Sequence, residues 1–206
     1  MKEVSIIDSG TSNLFSIQNA LNEIGAKTKI ISNQKEIYKA NFLVLPGVGS
    51  FCEAMKNINK KKLSIPIIQH IKSGKPFLGI CLGFQLLFEN SYEFKKTKGL
   101  GILKGNVLEF DKSKVKTIPH VGWNTTKIKN KKYNLIKNND FYYFVHSFYV
   151  LPKNKKAIYT TTQVDNFNFC SSIVYDNVYG CQFHPEKSGK QGLKFLKNFL
   201  YYNYAR

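Results

Sequence analysis

A cysteine at the end of a short apolar strand has the spacing of an activated nucleophile. Residues 76–80 predict a strand and residues 82–88 predict an apolar helix, so that Cys81 falls at the sharp turn between them. Gly79 and Gly83 flank it two residues away on either side, which is the layout of a nucleophile elbow. A thiol exposed there, at a helix N-terminus, would have its thiolate form favoured by the helix dipole. A buried structural cysteine in a strand-to-helix turn is the alternative interpretation.

A nucleophilic cysteine needs a base. The histidines of the chain are His70, His120, His146 and His184. The first three fall in a predicted helix, a loop and a strand-like run, in that order. His184 ends a predicted strand and is followed by Pro185, which stiffens the turn, and by Glu186, which can orient the neighbouring imidazole. His-Pro-Glu alone is typical of a turn, but together with the elbow at Cys81 it favours a Cys-His-Glu triad for acyl transfer through a thioester.

Acyl transfer also needs backbone N–H groups that stabilise the oxyanion of the tetrahedral intermediate. The amide of Leu82, directly after the nucleophile, is one candidate. The other is the loop at residues 46–49, in which Gly47 and Gly49 would allow the N–H of Val48 to turn inward. An ordinary strand-to-helix turn is the alternative interpretation of this loop.

The first 90 residues alternate between apolar strands and amphipathic helices. Strands are predicted at residues 3–8, 27–31, 41–45 and 76–80, and helices at residues 14–24, 50–59, 65–73 and 82–88. This alternation predicts βαβ units and a parallel sheet covered by helices on both faces, hence an α/β fold. Ligands of such sheets bind at the carboxyl ends of the strands. The loops at residues 8–13 and 46–49 and the elbow lie at those ends.

The second half changes character. Short β-branched or aromatic strands are predicted at residues 100–110, 142–149, 157–162, 170–175 and 178–183, and a closing amphipathic helix at residues 191–202. These strands predict a small antiparallel or mixed region that is added to the parallel core. No repeat and no long linker interrupts the chain, so we expect one domain over residues 1–206.

The net charge of +18 would be typical of a nucleic-acid-binding protein. However, only Arg206 among the 31 basic residues is an arginine, and arginine makes the bidentate contacts to phosphates and bases. The lysines are also scattered along the chain. A solvated lysine surface is therefore favoured over a nucleic-acid site, while a basic patch that meets an acidic protein partner stays open.

The sequence also argues against several other classes of protein. No run of 18 apolar residues exists, and the N-terminus lacks the features of a signal peptide, so we expect a cytoplasmic protein without membrane contact. Neither zinc nor a disulfide framework is expected, because the cysteines form no close-spaced pair. They are Cys52, Cys81, Cys170 and Cys181. We expect no metal and no cofactor.

Several segments carry a family resemblance. They are Gly79-Ile80-Cys81-Leu82-Gly83-Phe84-Gln85, Pro46-Gly47-Val48-Gly49, Lys98-Gly99-Leu100-Gly101, Pro119-His120-Val121-Gly122-Trp123-Asn124, Tyr143-Phe144-Val145-His146-Ser147 and Gln182-Phe183-His184-Pro185-Glu186-Lys187-Ser188-Gly189. The elbow and the His-Pro-Glu segment resemble the class I (triad) glutamine amidotransferases, whose fold is a three-layer α/β glutaminase fold. The remaining segments are similar to those of the glutaminase subunits of imidazole glycerol phosphate synthase, an enzyme of histidine biosynthesis.

The resemblance implies a role for each matching residue. Cys81 would be the nucleophile, His184 the general base and acid, and Glu186 the orienting carboxylate. The glutamine pocket would be formed by Gly47, Gly49, Gln85, His146 and Ser147. The surface that meets the partner would include Asn13, Trp123, Tyr143 and Lys187.

The partner that the resemblance implies is a separate (β/α)8 cyclase/synthase subunit, which forms a heterodimer with the glutaminase. Ammonia would pass to it through a tunnel. The partner would use the ammonia to split a phosphoribulosyl formimino carboxamide ribonucleotide into imidazole glycerol phosphate and aminoimidazole carboxamide ribotide.

The chain departs from the family in the loop after the first strand. Many members have Asp-Tyr-Gly-x-Gly-Asn there, whereas this chain has Ser12 in place of the second glycine, between Asp8 and Asn13. Two other functions stay open at this stage. One is a related glutaminase that supplies ammonia to a different acceptor enzyme, such as a surface-sugar amidotransferase, and the other is a non-catalytic binding module with the same fold.

Overall fold

The first half of the chain forms a parallel sheet with its connecting helices. The structure, a computed structural model, describes residues 2–10 and 12–202, so the remaining residues of the expected domain 1–206 lie outside it. The strands are β1 (Glu3–Ile7), β2 (Lys27–Ile31), β3 (Leu43–Gly47) and β4 (Phe77–Cys81). The helices are α1 (Leu14–Glu23), α2 (Gln34–Lys39), α3 (Phe51–Lys60), α4 (Ser64–Lys72) and the single turn α5 (Leu82–Gln85).

The second half is mostly β-structure and ends in one long helix. Its strands are β5 (Phe88–Ser91), β6 (Thr97–Lys98), β7 (Leu103–Glu109), β8 (His120–Thr125), β9 (Lys127–Ile128), β10 (Phe141–His146), β11 (Phe148–Pro152), β12 (Ile158–Val164), β13 (Phe167–Tyr175) and β14 (Val178–Cys181). Short 3-10 turns occupy Lys155–Ala157 and Pro185–Lys187, and helix α6 covers Gly189–Tyr202.

The order of the strands brings the ends of β3, β4 and β14 together. Within the described residues the main sheet runs β2-β1-β3-β4-β14-β13-β11-β7-β5-β6, with β12 and β9 beyond β13, while β8 and β10 form a separate antiparallel pair. Strand β4 is parallel to both β3 and β14. Gly47 lies opposite Cys81, and Cys181 lies opposite Ile80. The residues that follow these three strands therefore meet at one edge of the sheet.

Two apolar clusters, one on each face of the sheet, make up the core. Successive strand residues point to opposite faces, so Val44 packs in one cluster and its neighbours Leu43 and Leu45 in the other. Buried residues of α1 and α6 belong to the first cluster, and those of α2, α3 and α4 to the second. The structure thus confirms the predicted three-layer α/β fold, with a parallel core sheet, helices on both faces and an added antiparallel region.

Several details of the secondary structure differ from the sequence expectations. The predicted helix at residues 82–88 is wrong, because α5 ends at Gln85 and Phe88 begins a strand. The carbonyl of Leu86 accepts a hydrogen bond from the N–H of Leu100, and that of Leu87 from Leu103, so the chain pairs outward instead of continuing the helix. A short apolar run does not distinguish a helix from a strand by periodicity.

The expected single strand at residues 142–149 is also wrong, since it is divided at Ser147 between two sheets. Helix α2 and strands β5, β6, β8 and β9 were not expected, and the expectation of a loop at His120 is wrong, because His120 begins β8.

Glycines hold the elbow against the sheet. A Cβ atom on Gly83 would overlap the carbonyl oxygen of Leu45 on β3. A Cβ atom on Gly79 would lie 2.8 Å from the carbonyl oxygen of Gly83. The backbone of α5 therefore lies directly on β3 and β4, as the glycine spacing predicted.

This close approach gives a first testable prediction. We expect Gly83→Ala to lower the free energy of unfolding by about 3 kcal/mol, because the added methyl group forces α5 away from β3. The control is Gly25→Ala, since Gly25 has φ +84° and nothing within 4 Å of its Cβ position, so that only backbone strain of about 1 kcal/mol is added. The measurement is denaturant unfolding of both variants. Equal losses of stability would contradict the close packing of Gly83.

Candidate active site

Cys81, the candidate nucleophile, has a strained backbone conformation. Cys81 has φ +54° and ψ −110°, which a residue other than glycine rarely adopts. It ends β4 and directly precedes α5. Its residue surface is only 6% exposed, so the expectation of an exposed thiol is wrong, because the loops around the elbow cover it. The thiol instead lies at the wall of a pocket.

That pocket has a volume of about 310 Å³ and contains most of the expected site residues. Its lining residues are Val48, Gly49, Cys81, Leu82, Gln85, Glu93, Val145, His146, Ser147, Phe148 and His184. Gly47 does not line it. Its Cβ position is 3.0 Å from the backbone nitrogen of Gly83, so Gly47 serves the packing of α5 against the end of β3.

His184 and Glu186 form a buried ion pair beside the nucleophile. The Nδ1 atom of His184 lies 2.7 Å from Oε1 of Glu186, and the two side chains are 3% and 6% exposed. Burial by itself lowers the pKa of His184, but the negative charge of the Cys81 thiolate and the hydrogen bond to Glu186 raise it to about 10. Nε2 of His184 has no hydrogen-bond partner of good geometry in the described chain, which leaves it available for proton exchange with sulfur or substrate.

The same pocket is lined by a second, neutral histidine, His146. Burial lowers the pKa of His146 to about 3 and also lowers the pKa of His120. The carbonyl of Phe148 only accepts, so His146 donates to it from Nδ1 over 2.8 Å. Nε2 of His146 then accepts from Nδ1 of His120 over 3.1 Å, and Nε2 of His120 accepts from the amide of Asn124 over 3.2 Å. This chain of bonds fixes the tautomer and the orientation of His146.

Comparison with known proteins identifies the family. The model of the class-I glutamine amidotransferase family matches residues 5–202. The chain belongs to the class-I glutamine amidotransferases. The chain is 50% identical to imidazole glycerol phosphate synthase subunit HisH of Caldanaerobacter subterraneus subsp. tengcongensis, over 95% of this chain and 96% of that protein. It is 49% identical to subunit HisH of Aquifex aeolicus, over 94% of both chains.

Solved structures agree on the fold of the amidotransferase. The structure of PurLQS from Thermotoga maritima matches with a TM-score of 0.78 and 19% identity, over 100% of this chain and 99% of that chain. A glutamine amidotransferase from the same organism matches with a TM-score of 0.64 and 18% identity, over 100% and 86%. At these identities the matches support the α/β fold alone.

The residues expected at a partner surface lie near the same edge of the amidotransferase. Trp123 on β8 is 53% exposed and packs edge-on against Tyr143 on β10, with ring centroids 6.2 Å apart. Lys187 is exposed on the 3-10 turn after His184, and this turn contacts both β10 and α1. Asn13 is exposed and caps α1 through a hydrogen bond from Ser16 N.

The loop between β1 and α1 is tied to the loop at residues 46–49. The hydroxyl of Ser12, the residue that replaces a glycine of the family, donates to the carbonyl of Pro46 over 2.8 Å. Thr11 of the same loop lies outside the described residues. The serine at position 12 thus adds a hydrogen bond between the loop after β1 and the loop at residues 46–49.

Two polar residues of the site were missed from the sequence. Glu93 lines the pocket, its Oε2 accepts from Phe51 N over 2.5 Å, and burial raises its pKa. Gln182 is fully buried, and its Nε2 lies 3.6 Å from Sγ of Cys81. A signal existed for Gln182, because it lies two residues before His184 in an extended segment and so on the same side. No local pattern marks Glu93.

The ion pair of the amidotransferase gives a prediction about protonation. We expect His184 to keep its proton above pH 8, measured by NMR titration of its imidazole. Cys81→Ala should lower the pKa of His184 more than Glu186→Gln does, because the thiolate charge raises it most. His70 is the internal control, since burial lowers its pKa to about 4 in a different part of the fold, and neither variant should change it.

The same pKa fixes the sign of the effect on stability. The folded-state pKa of His184, about 10, is above the value of about 6.5 for histidine in an unfolded chain. Its protonated form therefore stabilises the fold fully below pH 6.5, and this contribution is lost as the pH rises to 10. A wild-type His184 that titrates near pH 6.5 would contradict the assignment of the ion pair.

Proposed function

We propose that this amidotransferase is the glutaminase subunit of an imidazole glycerol phosphate synthase. It would hydrolyse glutamine to glutamate and ammonia and deliver the ammonia to a (β/α)8 synthase subunit. The observation that carries the proposal is the pocket in which Cys81 and the His184–Glu186 pair meet, in a chain about half identical to HisH subunits over nearly its whole length. The chemistry requires neither a metal nor a cofactor.

The proposed reaction begins with the thiolate of Cys81. Its sulfur attacks the carboxamide carbon of glutamine, and the N–H groups of Leu82 and Val48 stabilise the oxyanion. Protonated His184 gives its proton to the leaving nitrogen, and ammonia departs as the thioester forms. Neutral His184 then takes a proton from water, whose oxygen attacks the thioester, and the C–S bond breaks to release glutamate and restore the thiolate. Glu186 keeps the imidazole oriented and stabilises its charged form.

Glutamine recognition in this proposal uses the other residues that line the pocket. A free amino acid carries an ammonium group, and Glu93 is the acidic side chain on the pocket wall. One oxygen of its carboxylate is held by Phe51 N, so the group is fixed in direction. Gly49 and the segment of His146 and Ser147 supply the remaining walls. The Oε1 atom of Gln85 could accept a hydrogen bond from the substrate, because both amide hydrogens of Gln85 are used inside the protein.

The proposed partner surface includes Val48, which also lines the pocket. Exposed apolar side chains follow the carboxyl ends of β1 and β3 and lie on the β8–β10 pair. They are Phe15, Val48, Val121, Trp123 and Phe141. A (β/α)8 subunit that covers this surface in a heterodimer would close the pocket, exclude water and receive the ammonia through a tunnel. Imidazole glycerol phosphate and aminoimidazole carboxamide ribotide would form on that subunit. We place this complex in the cytoplasm.

Turnover of glutamine with and without the partner tests the proposal. We expect the isolated chain to release little glutamate and the complex with the (β/α)8 synthase of the same genome to release it readily once the nucleotide substrate is added. Cys81→Ala should abolish release in the complex, because the variant lacks the sulfur that attacks glutamine in the proposed reaction. Cys52→Ala, at a half-buried position on α3, is the matched control and should have no effect.

Two results would contradict parts of this proposal. Full activity of the Cys81→Ala complex would refute the thioester mechanism. Co-purification with an acceptor enzyme other than a (β/α)8 synthase, together with no stimulation by that synthase, would refute the role in histidine biosynthesis while leaving the glutaminase activity in place.

The role of Glu93 is tested separately. We expect Glu93→Gln to raise KM for glutamine about 10- to 100-fold with a smaller change in kcat, since the contact to the ammonium group is made equally in ground state and transition state. Glu53→Gln, at an exposed position on α3, is the control. An unchanged KM for the Glu93 variant would exclude Glu93 from substrate binding.

No helix in the described residues is both long and apolar enough to cross a membrane.

A further inference from the structure

A glutamine side chain lies against the nucleophile and is not part of the triad. Gln182 follows β14 and is 0% exposed. Its backbone N–H donates to Ser171 O over 2.8 Å, which fixes the residue next to β13. Its side-chain Nε2 lies 3.6 Å from Sγ of Cys81, within hydrogen-bonding distance for sulfur. Burying an amide costs free energy unless its NH₂ and C=O groups are hydrogen-bonded, so we expect a specific role for a glutamine at this buried position.

The hydrogen-bond network decides which end of this amide faces the sulfur. The carbonyl of Phe148 can only accept, so the NH₂ group of Gln85 must lie toward it, at 3.1 Å. The second hydrogen of the same nitrogen is directed to Oε1 of Gln182 over 3.0 Å. Turning the Gln182 amide around would set two NH₂ groups against each other. Its carbonyl therefore faces Gln85 and its NH₂ group faces Cys81.

The sulfur thus has one donor and one acceptor as neighbours. The carbonyl of Val145, 4.0 Å from Sγ, can accept a hydrogen bond from the thiol. The NH₂ group of Gln182 can only donate, and so it can stabilise negative charge on the sulfur. A donor in this place also stabilises the transition state of thioester cleavage, in which the electron pair of the breaking C–S bond returns to sulfur.

We propose that Gln182 is a further catalytic residue, which donates a hydrogen bond to the nucleophilic sulfur, and that Gln85 is a positioning residue, which orients the Gln182 amide. This inference rests on the proposed thioester chemistry of Cys81. It gives Gln85 a role within the protein, in addition to the substrate contact expected from the family resemblance. Gln182 and Gln85 would act in both halves of the proposed reaction. The sulfur carries negative charge when it attacks glutamine, and it regains that charge when the thioester is cleaved.

The test measures the reactivity of the Cys81 thiol in the absence of glutamine. Cys81 is alkylated with iodoacetamide at fixed pH, and the modified peptides are quantified by mass spectrometry. We expect Gln182→Met, which keeps the length but has no donor, to slow alkylation of Cys81 about 10- to 100-fold, the effect of a hydrogen bond to a charged group. Cys52 on α3 is the internal control and should react at the wild-type rate. Gln163→Met, at an exposed position on β12, is the matched control variant.

Three further measurements separate this role from a structural one. Gln182→Glu keeps the acceptor for Gln85 but presents a carboxylate to the sulfur, so it should slow alkylation at least as much as Gln182→Met. Gln85→Met should slow it less, because the Gln182 amide remains but is no longer oriented. In the complex, kcat for glutamine should fall by the same factor as the alkylation rate, with KM changed less than about threefold.

The outcomes are distinguishable from those that test the function. If Gln182→Glu and Gln85→Met both alkylate at the wild-type rate, the inference is overturned, whether or not Gln182→Met folds. If the wild-type complex does not hydrolyse glutamine, the proposed function fails, while the alkylation rates still report on the donor to Cys81.

Discussion

The active site depends on the contact between the backbone of Gly83 and the carbonyl of Leu45. This contact leaves no room for a side chain, so α5 begins directly on top of β3 and β4. The chain must therefore turn within one residue, which places Cys81 at φ +54°. Such a conformation costs about 1–3 kcal/mol and persists because its surroundings over-determine it. Here the burial of Leu82 and Phe84 in the core beneath the elbow offsets the cost. The strained turn places the sulfur of Cys81 at the end of the sheet where the loops after β3 and β14 also lie.

Two histidines of the same pocket take opposite charge states, and their surroundings explain why. His146 is buried beside a carbonyl and another neutral histidine, and burial lowers its pKa to about 3. His184 is nearly as buried, but the thiolate and the carboxylate of Glu186 raise its pKa to about 10. His184 is therefore protonated near neutral pH, whereas His146 is neutral and is held in place by its hydrogen bonds. No lysine among the described residues contributes to the difference between the pKa values of His146 and His184.

The sequence allowed prediction of those features that depend on neighbouring residues. The elbow spacing, the His-Pro-Glu turn and the alternation of strands and helices are local patterns, and they predicted the sharp turn at Cys81, the His184–Glu186 pair and the parallel half of the sheet. The short apolar run at residues 82–88 was mistaken for a helix because its fate depends on pairing with Leu100 and Leu103. Glu93 reaches the site through a contact with Phe51, 42 positions away, and such a contact leaves no trace in local spacing.

The β8–β10 pair shows how the proposed partner surface could act on the catalytic histidine. It is hydrogen-bonded as a sheet of its own, whereas Cys81 belongs to the main sheet. The N–H of His184 donates to the carbonyl of Tyr143, and Ser188 bridges the N–H of Tyr143 and the carbonyl of His184. Tyr143 in turn lies opposite Trp123, which is exposed. A partner docked on Trp123 would therefore contact the strand pair whose backbone hydrogen bonds hold His184 in the pocket.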